Sequence, residues 1–167
     1  EGTLLTAGAS VLLSAAAREA MENGLTGMEF ASGIPGSIGG GVKMNAGAYD
    51  GEMRQIVESV QVMYKDGSIL DLDNETMEFG YRNSVIKNRP YVVLQVSLRL
   101  QPGNREEILA RMNELAARRK EKQPLEFASA GSTFKRPDGY FAGKLIMDSG
   151  LRGARIGGAQ ISEKHCG

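Results

Sequence analysis

Tryptophan is absent, and cysteine and histidine occur once each, as Cys166 and His165. A single cysteine excludes an internal disulfide and fits a reducing cytoplasm. One histidine beside one cysteine supplies too few ligands for a zinc site, so no metal is expected. Neither sign of charge is in excess, since 20 Lys and Arg balance 20 Asp and Glu. Nothing global therefore points to nucleic acid. No apolar run approaches the roughly 18 residues of a membrane helix, and the opening residues do not read as a signal peptide. What is present is globular: 167 residues, 41% apolar and 24% charged, enough for a sizeable core.

Glycine is abundant, with 22 residues, and unevenly placed: seven lie within Gly33–Gly51 and eight within Gly131–Gly167. Both stretches interleave glycine with Ile, Lys, Asn, Ser and Phe, unlike Gly/Ser linkers. They mark places where backbone turns tightly or approaches a ligand. The neutral sum also hides an asymmetry. Residues 1–53 carry two basic and six acidic groups, whereas residues 118–167 carry ten basic and five acidic ones. A basic end beside a glycine-rich stretch suits an anionic small molecule, although Arg118–Lys122 reads as a solvated helix face.

The pattern predicts mixed α and β structure. A helix is expected over Ser10–Asn23, capped by Ser10 and ended by Gly24. Alternation at Val60, Val62 and Tyr64, then Asp66-Gly67 and Ser68–Leu72, predicts a hairpin. The clearest strand is Tyr91–Leu100, with Val92, Leu94, Val96, Leu98 and Leu100 on one face. Pro102-Gly103 closes it. Arg105–Lys122 reads as an amphipathic helix burying Ile108, Leu109, Met112, Leu115 and Ala116, stopped at Gln123-Pro124. A shorter helix is expected at Phe141–Asp148. The change of character after Pro102-Gly103 is a candidate domain boundary. A start without Met and an end at His165-Cys166-Gly167 suggest a fragment.

Three motifs could carry chemistry. The stretch from Gly33 to Gly47 (GIPGSIGGGVKMNAG) resembles a phosphate loop without matching one. A P-loop requires Gly-Lys before Ser or Thr, and a dinucleotide fingerprint requires glycine where Met44 stands. Backbone amides beside a helix start at Ser37–Gly41 can still cradle a pyrophosphate. In the second motif, Ser129-Ala130-Gly131-Ser132-Thr133-Phe134-Lys135-Arg136-Pro137, Phe134 breaks the hydrolase elbow. Ser132 is either a hydroxyl poised as a general acid or a turn serine satisfying backbone. Lys135 and Arg136 either contact a ligand or are solvated, and a pairing of serine with His165 stays open. The third motif, Tyr81-Arg82-Asn83-Ser84, is a polar turn. Its arginine could clamp a carboxylate or stabilise developing charge, or it could make a structural hydrogen bond.

Together these motifs, with Phe79-Gly-Tyr-Arg-Asn-Ser84, Ala142-Gly-Lys-Leu-Ile146 and Gly157-Gly-Ala-Gln-Ile-Ser-Glu-Lys-His165, resemble the UDP-N-acetylenolpyruvoylglucosamine reductase family. They follow the family's order over almost the entire chain and are closer to its shorter type. The resemblance implies an α+β protein. An FAD-binding domain of the vanillyl-alcohol-oxidase type would occupy residues 1–103 and part of a substrate-binding domain residues 104–167. It implies non-covalent FAD, NADPH as co-substrate, and reduction of an enolpyruvyl UDP-sugar in peptidoglycan precursor synthesis. Arg82 would stabilise the enolate and Ser132 would donate a proton. Gly33, Ile34, Pro35, Gly36, Ser37, Ile38, Gly39, Asn45 and Gly47 would line the cofactor. Tyr81, Lys135, Arg136 and His165 would meet the UDP-sugar. A cytoplasmic monomer, with no nucleic-acid or membrane partner, is expected. The family's first lobe would precede Glu1 and its catalytic glutamate would follow Gly167, so this chain alone should bind FAD weakly and be inactive. The alternatives are another FAD oxidoreductase or a non-catalytic nucleotide-sugar-binding module.

Overall fold

The computed structural model describes residues 2–129 and 131–167. Ala130 of the second motif therefore lies outside the described residues. The chain divides into two compact units, Glu1–Ala116 and Ala117–Gly167, and each is described by itself.

The first unit opens with strand β1 (Leu4–Gly8), helix α1 (Leu13–Glu22) and the short strand β2 (Leu25–Thr26). Ser10 does not cap α1. Leu12 occupies the cap position, and no side chain satisfies the first turn. The helix starts later than its periodicity suggests because Ala9 to Leu13 are used otherwise: their backbone pairs with the glycine-rich stretch, through Leu13 N to Gly36 O, Ile38 N to Val11 O and Gly39 N to Ala9 O. Gly24, at φ +66°, ends the helix as expected.

Helix α2 (Ile38–Lys43) follows, then the two-residue strands β3 (Gly47–Ala48) and β4 (Gly51–Glu52). Next come β5 (Val57–Met63), β6 (Ile69–Asp73), the one-turn helix α3 (Val85–Asn88), β7 (Val92–Arg99) and β8 (Gln101–Pro102). Strands β1, β7, β5 and β6 form an antiparallel sheet in that order. The predicted hairpin is β5–β6: Gly67 turns at φ +86°, and the Tyr64 amide donates to Ser68 O at 2.8 Å.

Strand β7 departs from strict alternation. Val96, Leu98 and Leu100 are buried, but Val92 is exposed, and Val93 and Tyr91 pack on the core instead. The cause is a bulge. Gln61 pairs Gln95 while Val62 pairs Val93, so Leu94 is the extra residue and reverses the facing of everything before it. A second bulge at Glu58 on β5 restores the register, letting Val57, Val60 and Val62 all point inwards.

One face of the sheet packs against α1 and α2. Leu13, Ala16, Ala17, Ala20, Ile38 and Val42 meet Val60, Val62, Val96 and Leu98 there, with Met53 and Met77 filling the ends. Helix α4 (Arg105–Lys122) has the predicted bounds, and Asn104 Oδ1 accepts from the amides of Glu106 and Glu107. It buries only Ile108 and Leu115, with Met112 half-buried; Leu109 and Ala116, expected inside, are exposed. The apolar stripe is narrower than the sequence suggests because the helix meets the core along a single edge.

The second unit contains the end of α4, helix α5 (Ala142–Asp148), and a hairpin of β9 (Arg155–Ile156) and β10 (Ala159–Gln160) turned at Gly157-Gly158. None of its described apolar side chains is fully buried.

Candidate functional site

The glycine-rich stretch is fixed by its backbone. Ala9 extends the β1–β7 ladder by donating its amide to Leu94 O at the bulge, and its own carbonyl accepts from Gly39 N at 2.9 Å. A Cβ on Gly39 would stand 2.9 Å from Ala9 Cβ and 3.2 Å from Ala9 O, so only glycine allows this approach. Ser37, where the helix start is expected, caps α2, its Oγ accepting from Gly40 N at 3.3 Å.

These bonds divide the amides that could cradle an anion. Ile38, Gly39, Gly40 and Gly41 donate within the protein. Among the described residues no acceptor takes the amides of Gly33, Gly36 or Ser37. Gly33, Pro35 and Gly36 are exposed, Ile34 and Ser37 half-buried, and Ile38 and Gly39 buried. Outward-facing donors thus end at Ser37.

From α2 the chain enters a locked corner. Asn45, with φ +41°, is 1% exposed, and its side chain is fully engaged. Nδ2 donates to Glu52 Oε2 at 3.0 Å and to Gly80 O at 3.1 Å, while Oδ1 accepts from Arg54 N at 2.9 Å. Gly47 lies so close to β4 that a Cβ would stand 2.7 Å from Gly51 O. The β3–β4 turn uses Tyr49 and Asp50 at φ +52° and +66°, left-handed positions usually filled by glycine or asparagine.

Against this corner sits the turn Gly80–Asn83, closed by reciprocal backbone bonds between its end residues. Arg82, half-buried and with φ +52°, donates from Nη2 to Gly47 O at 3.0 Å and from Nη1 to Asn45 O at 3.4 Å. Its guanidinium lies 5.2 Å from the ring centre of Tyr81, which is largely exposed. Ser84, fully buried, donates to Lys43 O at the end of α2. Among the described residues no carboxylate pairs with Arg82, whose two acceptors are both carbonyls. A cation held by dipoles keeps its charge and unused donors for an anionic ligand.

In the second unit Ser132 is exposed and has no hydrogen-bond partner among the described residues. Neighbouring Ser129 Oγ accepts from Gly131 N at 3.1 Å, so Ser129 is the serine that satisfies the turn. Lys135 is exposed. Arg136 donates to Tyr140 O at 3.1 Å and stacks 3.8 Å above Phe141. His165 is half-buried, its amide donating to Ser162 Oγ. The structure thus brings Arg82 and Tyr81 onto the end of the glycine-rich stretch, and Arg136 onto the start of α5. Among the described residues, no group of three or more His, Cys, Asp or Glu could hold a metal ion, and no helix is long and apolar enough to cross a membrane.

Comparison with known proteins places this geometry. Residues 1–73 match an FAD binding domain, and residues 123–167 match the C-terminal domain of UDP-N-acetylenolpyruvoylglucosamine reductase. The reductase of that name from Lachnoclostridium phytofermentans is 58% identical over the whole chain. The chain belongs to the UDP-N-acetylenolpyruvoylglucosamine reductase family. A second reductase, from Clostridioides difficile, is 58% identical over 99% of the chain. The crystal structure of the reductase from Thermus caldophilus superposes with a TM-score of 0.87 at 43% identity, covering 96% of this chain and 59% of that one. The chain spans about half the length of the curated relatives it matches, 54% of both bacterial reductases. Its fold class is α+β, with an FAD-binding domain followed by sequence of the reductase C-terminal domain.

The outward amides of Gly33, Gly36 and Ser37 suit the oxygens of a diphosphate such as the one FAD carries, so this part of the chain fits that cofactor. Glu52 organises the corner through Asn45 without standing out in the sequence, whereas Ser84 belongs to the third motif and its bond to Lys43 O is what the sequence does not reveal.

Proposed function

We propose that this chain is the central part of an NADPH-driven, FAD-dependent reductase that converts UDP-N-acetylglucosamine enolpyruvate to UDP-N-acetylmuramate for peptidoglycan synthesis. The observation that carries this reading is the Arg82 guanidinium, paired with no carboxylate among the described residues and pinned by carbonyls at the end of the glycine-rich stretch. The chemistry that bound FAD would supply is hydride transfer, from NADPH and then to the enolpyruvyl double bond. Hydride addition at one carbon builds negative charge on the neighbouring carbon, which bears the carboxylate. Arg82 lowers the energy of that charge from a preset position. Ser132 gives its hydroxyl proton to the same carbon and regains one from solvent. Gly33, Gly36 and Ser37 hold the cofactor diphosphate through backbone amides, with Ile34, Pro35, Ile38, Gly39, Asn45 and Gly47 shaping the loop around them. Tyr81, Lys135, Arg136 and His165 face the UDP-sugar. The functional boundary lies between Gly103 and Asn104, and the enzyme acts as a cytoplasmic monomer.

The test uses the protein at the full length of its relatives. It should purify yellow and oxidise NADPH only when the enolpyruvyl UDP-sugar is present. A colourless protein, or NADPH oxidation only with an unrelated aldehyde or alcohol, would sink the proposal. Within the same reading, Ser132→Ala should leave flavin reduction by NADPH intact and slow substrate reduction about 10²- to 10⁴-fold. Equal losses in both half-reactions would contradict the proton-donor role.

A further inference from the structure

Arg82 does not choose its own position. Both carbonyls that hold it, Asn45 O and Gly47 O, belong to a segment with left-handed backbone at Asn45 and a close backbone approach at Gly47. Asparagine tolerates left-handed backbone better than most residues, and here its side chain also holds the segment in place. It does so through three hydrogen bonds from one buried amide group, to Glu52, Arg54 and Gly80. The last bond matters most, because Gly80 opens the turn that carries Arg82. The same side chain therefore sets both the carbonyls that receive the guanidinium and the turn that delivers it.

We propose that Asn45 is a positioning residue, whose buried side chain, tied to Glu52, Arg54 and Gly80, fixes the Arg82 guanidinium for the substrate carboxylate. This rests on the role given to Arg82 above. The residue type is constrained. Aspartate would set a carboxylate against Glu52 and Gly80 O, two acceptors, with no donor to offer them. Alanine would leave all three partners without their bond. Glutamine carries the amide one carbon too far for a pocket with 1% exposure.

The experiment is a double-mutant cycle in the full-length reductase, following the two half-reactions separately by stopped-flow. Asn45→Ala should slow substrate reduction about 10²-fold, the scale of a misplacement of about 1 Å. Because Asn45 also shapes the cofactor loop, both rates are read on the flavin-loaded fraction, where reduction by NADPH should slow at least tenfold less than substrate reduction. Combined with Arg82→Lys, it should add nothing, because the misplaced group is already compromised. Multiplicative effects in the double variant, or wild-type substrate reduction in Asn45→Ala, would overturn the proposal. A fast Arg82→Lys enzyme would instead reject the role of Arg82 itself.

If Asn45→Ala does not fold, Glu52 carries the test, since its side chain is partly accessible. Glu52→Gln keeps an acceptor for Asn45 Nδ2 and should restore most of the substrate-reduction rate lost in Glu52→Ala. Failure of that rescue would count against the proposal. A readout independent of the cofactor is amide exchange at Asn83, whose N–H is held by Gly80 O at 3.2 Å. Exchange there should quicken at least tenfold in Glu52→Ala and stay near wild type in Glu52→Gln. Unchanged protection in Glu52→Ala would show that the turn does not depend on the lock.

Discussion

Arg82 and Asn45 show how one residue's chemistry depends on another's backbone. A guanidinium has five donors, and here two engage carbonyls, with no carboxylate against the charge among the described residues. Gly39 and Gly47 serve a different end, since both are places where a side chain has no room. Gly39→Ala should destabilise the protein by ~1–3 kcal/mol, because neither Ala9 Cβ nor Ala9 O can retreat without breaking the ladder. Chemical denaturation would detect this as a lower midpoint at unchanged slope. Asp50 gives the opposite expectation. Its φ of +66° in a two-residue turn is strained for any side chain, so Asp50→Gly should stabilise by ~0.5–1 kcal/mol. An unchanged or lower midpoint would show that Asp50 makes a compensating interaction.

At the scale of elements, hairpin β5–β6 and helices α2, α4 and α5 were legible because their signals are local. Asp-Gly names a turn, Ser37 names a cap, and Gln123-Pro124 names an end. The start of α1 and the facing of β7 were not. Ser10 carries a good capping side chain, yet Ala9 to Leu13 pair with a segment almost thirty residues on, which no local pattern records. The Leu94 bulge likewise reverses an alternation that reads as continuous, and only the partner strand reveals it. The site was legible in composition but not in division of labour: Gly33–Gly47 reads as one loop, yet its amides split at Ser37 between an outward-facing rim and the fold.

The hairpin also carries a pH dependence. Ser68, through its hydroxyl and then its amide, holds the Asp66 carboxyl below the usual range, and Thr76, through its amide and then its hydroxyl, lowers Asp73. Arg99 lowers Glu58 by hydrogen bonding and charge, and its own pKa rises in return. Depressed acid pKa values stabilise the fold above the unfolded values, roughly pH 4, and that contribution is lost as pH falls through the folded ones. Thermal midpoints should therefore fall between about pH 5 and pH 3, and less steeply in Asp66→Asn. Identical profiles would exclude the hairpin as a source.

For the whole molecule, the two units differ in how they are built. The first encloses a continuous core, in which Leu98→Ala should cost ~2–5 kcal/mol and lower the thermal midpoint by several degrees. In the second, Phe127, Phe134, Tyr140, Phe141 and Ile156 are each more than half exposed. Its local structure rests on backbone turns and polar contacts such as Lys144 with Asp148. The charge asymmetry follows the same division, with the acidic stretch among the core elements and the basic one in the second unit.

The central claim is that Arg82 acts on charge that develops only while the enolpyruvyl group is reduced. Arg82→Lys in the full-length reductase, followed by stopped-flow absorbance of the flavin, tests it most directly. Reduction by NADPH should proceed at the wild-type rate within about twofold, while reoxidation by the enolpyruvyl substrate slows by about 10²–10³, the scale of losing one preset donor. Reoxidation at the wild-type rate, or equal slowing of both steps, would contradict the account.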